Sequence, residues 1–172
     1  NANGGELWGT RNALRLSAPD QQWGIIVQGI GGQNYNNVDA EFSRDLNHLY
    51  ISTGGGTVTR VDGLGSLYTS SPTFTEDAFY TQAGAPNGTT ATGLTPGGAV
   101  EGVCVNPADP DDVLFMHGFA STRMRRSLNA TSASPTYTPV GSMTGSNSTD
   151  PGTYDAIIDR EDDQILIVGT SS

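Results

Sequence analysis

At 172 residues the chain is long enough for one domain with a real core, and its 18 Asp and Glu face only 8 Lys and Arg, giving a formal net charge of −10. A surface of that sign repels phosphate backbones and argues against nucleic acid as a partner, while it favours solubility and leaves cations, chiefly Ca²⁺, as charge-matched ligands. There is no apolar run of membrane-spanning length and no signal peptide at the start, where the first residue already sits mid-pattern.

Gly is 23 of the 172 residues, Pro is 9 and charged residues are 15 %, with Thr, Ser and Asn abundant. Such a composition suits many short strands joined by tight turns, and no window carries the 3.6-residue apolar period of an amphipathic helix. The expected class is all-β.

In chain order, Leu7–Thr10, Asn12–Leu16 and Trp23–Val27 read as strands, followed by a Gly- and Asn-rich loop to Asn37. In the next strand Val38, Ala40 and Phe42 alternate with Asp39 and Glu41, which places the acids on one face and the apolar residues on the other. After a turn at Ser43–Asn47 come strands at His48–Thr53 and Thr57–Val61, joined through Gly54–Gly56, and Thr73–Thr75 marks an outer strand. A Thr-, Gly- and Pro-rich insert runs from Glu76 to Gly98 and is too long for an ordinary connection. Strands then follow at Ala99–Val105 and Val113–His117, around a turn whose Pro107 and Pro110 preset φ and whose Asp109, Asp111 and Asp112 cap turn amides. The last pair is Tyr154–Asp159 and Gln164–Gly169.

Two stretches repeat one another. Leu49-Tyr-Ile-Ser-Thr, Thr57-Val-Thr-Arg-Val and Ser71-Pro-Thr-Phe-Thr correspond to Leu114-Phe-Met-His-Gly, Thr122-Arg-Met-Arg-Arg and Ser134-Pro-Thr-Tyr-Thr. Each set follows an apolar run behind an acid, Val38-Asp-Ala-Glu-Phe-Ser and Val100-Glu-Gly-Val-Cys-Val. A self-similar unit of roughly 40–50 residues with four short strands is the signature of a propeller blade. The repeats divide the chain into a partial unit at 1–37, whole units at 38–98 and 99–153, and a partial unit at 154–172. Closed propellers need roughly four to eight blades, so the expectation is an arc of a larger ring.

The turn Asn106-Pro-Ala-Asp-Pro-Asp-Asp-Val-Leu-Phe resembles the inner hairpin of sialidase-like, Asp-box (BNR) β-propellers, a group that includes sortilin-type and xyloglucanase-type repeats. The Asp-box, Ser-x-Asp-x-Gly-x-Thr-Trp, is present in degenerate form: Ser17-Ala-Pro-Asp20-Gln-Gln-Trp23 keeps the Ser, an Asp one place late and the Trp. Ser127-Leu-Asn129-Ala-Thr131 keeps the Ser and has Asn for Asp, and the Asp62-Gly63 region is looser still. The resemblance implies a fold of four-stranded antiparallel blades more than an activity, because this fold hosts hydrolases, receptors, adhesins and assembly factors.

Asp39, Glu101 and Asp155 fall at matching places in the innermost strands of successive repeats. Carboxylates gathered round an axis would recruit a cation such as Ca²⁺; the plainer alternative is that each caps a turn or faces a wet channel. No motif requires a cofactor. The loop residues Tyr35, Asn36 and Asn37, with Arg123 and Arg125, are candidate ligand contacts, strand alternation sending Arg126 to the opposite face. His48 and His117 lack metal-ligand spacing and read as packing or hydrogen-bonding residues, and Cys104, between Val103 and Val105, reads as a small buried hydrophobe. Asn87, Asn129 and Asn147 open sequons in loops. These features describe a secreted or cell-surface binding, adhesion or assembly module whose partners are a glycan, a peptide or neighbouring subunits. The alternative is a glycoside hydrolase, for which no Tyr/Glu nucleophile pair can be assigned.

Overall fold

A computed structural model describes residues 5–10, 23–30, 39–52, 56–65, 90–117, 124–140, 153–158 and 166–170. Every element among them is a strand, and every pairing is antiparallel. The first sheet joins β1 (Gly5–Thr10) to β2 (Trp23–Ile30). The second is a meander of β3 (Asp39–Phe42), β4 (His48–Ser52), β5 (Val58–Asp62) and β6 (Thr90–Leu94). The third repeats it with β7 (Val100–Val105), β8 (Val113–His117), β9 (Met124–Ser127) and β10 (Thr138–Pro139). The fourth pairs β11 (Thr153–Ile158) with β12 (Leu166–Thr170). The expected all-β class holds.

The four sheets pack face to face in chain order, because the two faces of β4, and likewise of β8, feed two different cores. On β4, Leu49 and Ile51 join Ile26 and Val27 of the first sheet, with Val61 and Leu64. Tyr50, between them, points the other way and meets Val103, Val105, Val113 and Phe115 of the third sheet. On β8 the same alternation sends Leu114 and Met116 to Ala156 and Ile158 of the fourth sheet, with Cys104 and Met124. Strands buried on both faces lose the apolar–polar alternation of a half-wet sheet, which is why Leu49–Ser52 and Val113–His117 are buried throughout. Burying each such Leu, Ile, Val or Phe side chain contributes about 1.5–3 kcal/mol relative to exposure. Tyr137 closes the middle core edge-to-face on Phe115, with ring centroids 5.5 Å apart and planes at 81°.

Two expectations are corrected. The fourth strand of the second sheet is β6, paired along its length with β5, so the segment expected to be an irregular insert supplies a strand. Thr90-Ala-Thr-Gly-Leu disguises it, since Leu94 is its one fully buried large side chain. The stretch Thr73–Thr75 lies outside the described residues. The other correction is of register. Asp39 pairs with Ser52 and Gly102 with Met116, and a β-bulge between Val100 and Gly102 leaves Glu101 one residue out of phase. Asp155 lies beyond a similar irregularity in β11 and opposes Gly169.

The turns repeat as closely as the strands. Leu64 N–H donates to the Asn47 carbonyl (3.2 Å) and Gly65 N–H to Asn47 Oδ1 (3.2 Å). In the third sheet Ala130 N–H donates to the Asp111 carbonyl (2.9 Å) and Thr131 N–H to Asp111 Oδ1 (3.0 Å). One Asx side chain in each first hairpin thus anchors the start of the loop that follows the third strand.

Candidate ligand-binding cleft

The seam between the second and third sheets carries polar contacts along its length. β7 is the edge strand of its sheet, so its outer amides have no strand partner. Two of them are satisfied from β3: Val103 N–H donates to Asp39 Oδ2 (2.9 Å) and Val105 N–H to Glu41 Oε2 (2.8 Å). Ser52 Oγ donates to the Glu101 carbonyl (3.1 Å), and Tyr50 Oη to the Pro110 carbonyl (3.2 Å). Burial raises the Tyr50 phenol well above its ordinary value, so it stays a neutral donor. At the outer end, buried Arg60 donates from Nη1 to the carbonyls of Ala130 and Ser132 while its Nε pairs with Asp62 Oδ1 at 2.8 Å.

Asp62 also holds His48, whose Nδ1 lies 2.8 Å from Asp62 Oδ1. In the third sheet Arg126 donates through Nε and Nη2 to both oxygens of Asp112, each at 2.6 Å. Burial pushes the Asp112 carboxyl up, but hydrogen bonds from Arg126 and Asn106 outweigh it and hold the group below its ordinary value.

The loop after β9 is closed by Asn129, whose Oδ1 accepts from Ser127 Oγ (3.1 Å), Thr136 N–H (2.9 Å) and Thr136 Oγ1 (3.1 Å). The next residue, Tyr137, is the one inserted into the core. Asn129, a sequon residue, is therefore also the centre of a folded turn, and the sequon's Thr131 hydroxyl bonds Asp111.

A cleft of about 620 Å³ opens where β3, β7 and β11 end, within the size range of ligand pockets. Val105, Pro107, Ala156 and Ile158 form its apolar floor, Glu41 and Ser43 line its wall, and Phe42, Arg44 and Leu46 stand at its rim. The rim is the β3–β4 turn. Ser43 N–H donates to the His48 carbonyl (3.0 Å), His48 N–H to Ser43 Oγ (3.1 Å) and Asn47 N–H to Asp45 Oδ1 (3.0 Å). Phe42 is 46 % exposed, and Leu46 is 49 % exposed at φ +57°. An unburied leucine in the left-handed region costs about 1–2 kcal/mol that Gly or Asn would avoid.

The sequence-predicted sites fall as follows. The carboxylate of Asp39 is engaged by the Val103 amide rather than left open toward an axis, and Glu101 is 8 % exposed in the bulge. Asp155 is placed by its backbone alone. Arg125 is half-buried against the preceding sheet's last loop, where a Cβ added at Gly97 would lie 3.6 Å from its Cζ. Tyr35, Asn36, Asn37, Arg123, Asn87 and Asn147 lie outside the described residues. His117 is fully buried, and burial, then the Arg125 charge, holds its imidazole below its ordinary value. The cleft was not foreseen; the Phe-Ser-Arg-Asp-Leu turn, with two large apolar residues flanking an arginine, was its signal. No helix among the described residues is long and apolar enough to cross a membrane. No protein-family model matches the chain, and no curated protein or solved structure matches it either.

Proposed function

We propose that the chain is an arc of a β-propeller of the Asp-box type and works outside the cell, secreted or on the surface, as a binding, adhesion or assembly module. The observation that carries the reading is the stacking of four antiparallel sheets in chain order, with β7 lying between β3 and β11 and a cleft at their shared end. The Asn129 turn supports the family: a Ser, an amide in place of the Asp, and a later Thr followed by an aromatic core residue play the parts of the Asp-box. Its partners are a glycan, a peptide or neighbouring subunits.

The test takes the native protein, locates it by fractionating cells and medium, images it for a ring, and applies it to an immobilised array of extracellular glycans and peptides. Location outside cells, a ring and saturable retention support the reading. Recovery from the cell interior, or retention on nothing, removes it.

A further inference from the structure

We infer that the cleft at the ends of β3, β7 and β11 takes an apolar peptide segment bearing a carboxylate, with Arg44 as the group that reads the charge; this rests on the binding-module reading and gives it a ligand class. The polar groups of the wall are already committed. Glu41 Oε2 accepts from Val105 N–H, and Ser43 Oγ is engaged with Asp45 and with both backbone groups of His48. A sugar needs several free donors and acceptors beside its ring, and the side chains of Val105, Pro107, Ala156 and Ile158 in the floor supply none. The floor suits an apolar side chain instead.

Charge decides the rest of the ligand. Arg44 is exposed at the rim and has no ion pair or hydrogen bond among the described residues, whereas Arg60 and Arg126 are paired with Asp62 and Asp112. In a chain of net charge −10, a guanidinium left unpaired between two exposed apolar side chains is matched by an anion with an apolar body. Leu46 adds an independent sign. Its left-handed backbone is strained and its side chain half in water, a combination that stability alone would replace with Gly.

The probe is fluorescein-labelled Gly-Gly-Leu-Phe with a free C-terminal carboxylate, compared with the same peptide as its carboxamide and with a neutral hexasaccharide. The full chain should bind the carboxylate peptide about tenfold more tightly than the carboxamide, and Arg44→Gln should erase that difference. Leu46→Gly should fold at least as stably as the parent yet bind at least about threefold more weakly, which separates lost contact from lost fold. Equal affinity for carboxylate and carboxamide, full affinity in Arg44→Gln, or no peptide binding would each overturn the inference. Retention of the hexasaccharide alone would overturn it too, while leaving the binding-module reading in place.

Discussion

Removing the two carboxylates that cross from β3 to β7 tests how the sheets are joined. Asp39 and Glu41 accept from Val103 and Val105 N–H at 2.9 and 2.8 Å, and both donors belong to residues no more than 3 % exposed. A hydrogen bond to a charged group contributes about 1.5–3 kcal/mol, and orphaning a buried amide costs about 1–3 kcal/mol. The acids are themselves half-exposed, so water can partly replace them, and the low end applies: about 1–2 kcal/mol for each change to Ala. Asp39→Ala with Glu41→Ala should then cost about 2–4 kcal/mol, or about 4–16 °C in melting temperature for a chain of this size. Asp39→Asn with Glu41→Gln, which keeps an oxygen acceptor at each place, should recover more than half of the loss. Chemical denaturation gives the free energies, and amide hydrogen exchange gives the location, with faster exchange at Val103 and Val105. A double-alanine loss below about 0.5 kcal/mol with unchanged exchange at both amides would refute the reasoning.

Arg60→Met leaves Asp62 without its buried partner and the Ala130 and Ser132 carbonyls without a donor, so a loss of about 3–5 kcal/mol is expected in denaturant unfolding; Arg60→Lys should not restore it, because one ammonium cannot reach all three. His117 has a depressed pKa in the folded state, so the unfolded chain binds its proton first as pH falls. Stability associated with neutral His117 is full above the unfolded value near 6.5 and declines below it by up to about 1.4 kcal/mol per pH unit. His117→Gln should flatten the stability curve between pH 7 and 5, and an unchanged slope would count against this. Asn129→Ala should lower stability by about 1–2 kcal/mol through loss of the turn's central acceptor, whereas Asn129→Asp should be nearly neutral; equal losses in thermal melts would contradict the role given to Oδ1.

Much of the strand order was legible because both-face burial writes continuous apolar runs, as in Val113–His117, and because those runs recur. β6 was not, since Thr, Ala and Gly are shared by strands and loops and its place is fixed by pairing with β5. The matching of Asp39 with Glu101 failed by one residue, because a bulge inserts an extra residue that no residue type marks in the sequence. The seam contacts were illegible for another reason. Arg60 and Ala130 are 70 residues apart, and no local pattern tells an acid that solvates a surface from one that caps a neighbouring sheet's edge.

The carboxylates of β3 reach onward along the chain to β7. Asp39 and Glu41 belong to the sheet that accepts these hydrogen bonds, and the bare amides of β7 to the sheet that donates them. Such a joint is heterologous: its two sides differ, so it cannot close by a twofold axis between like faces. The second and third sheets are thereby stacked head to tail, the carboxylate face of one against the amide edge of the other. A reversed or duplicated unit would fit only where a carboxylate face meets an uncapped amide edge. The polarity of this joint is thus written into two side chains of a four-residue strand.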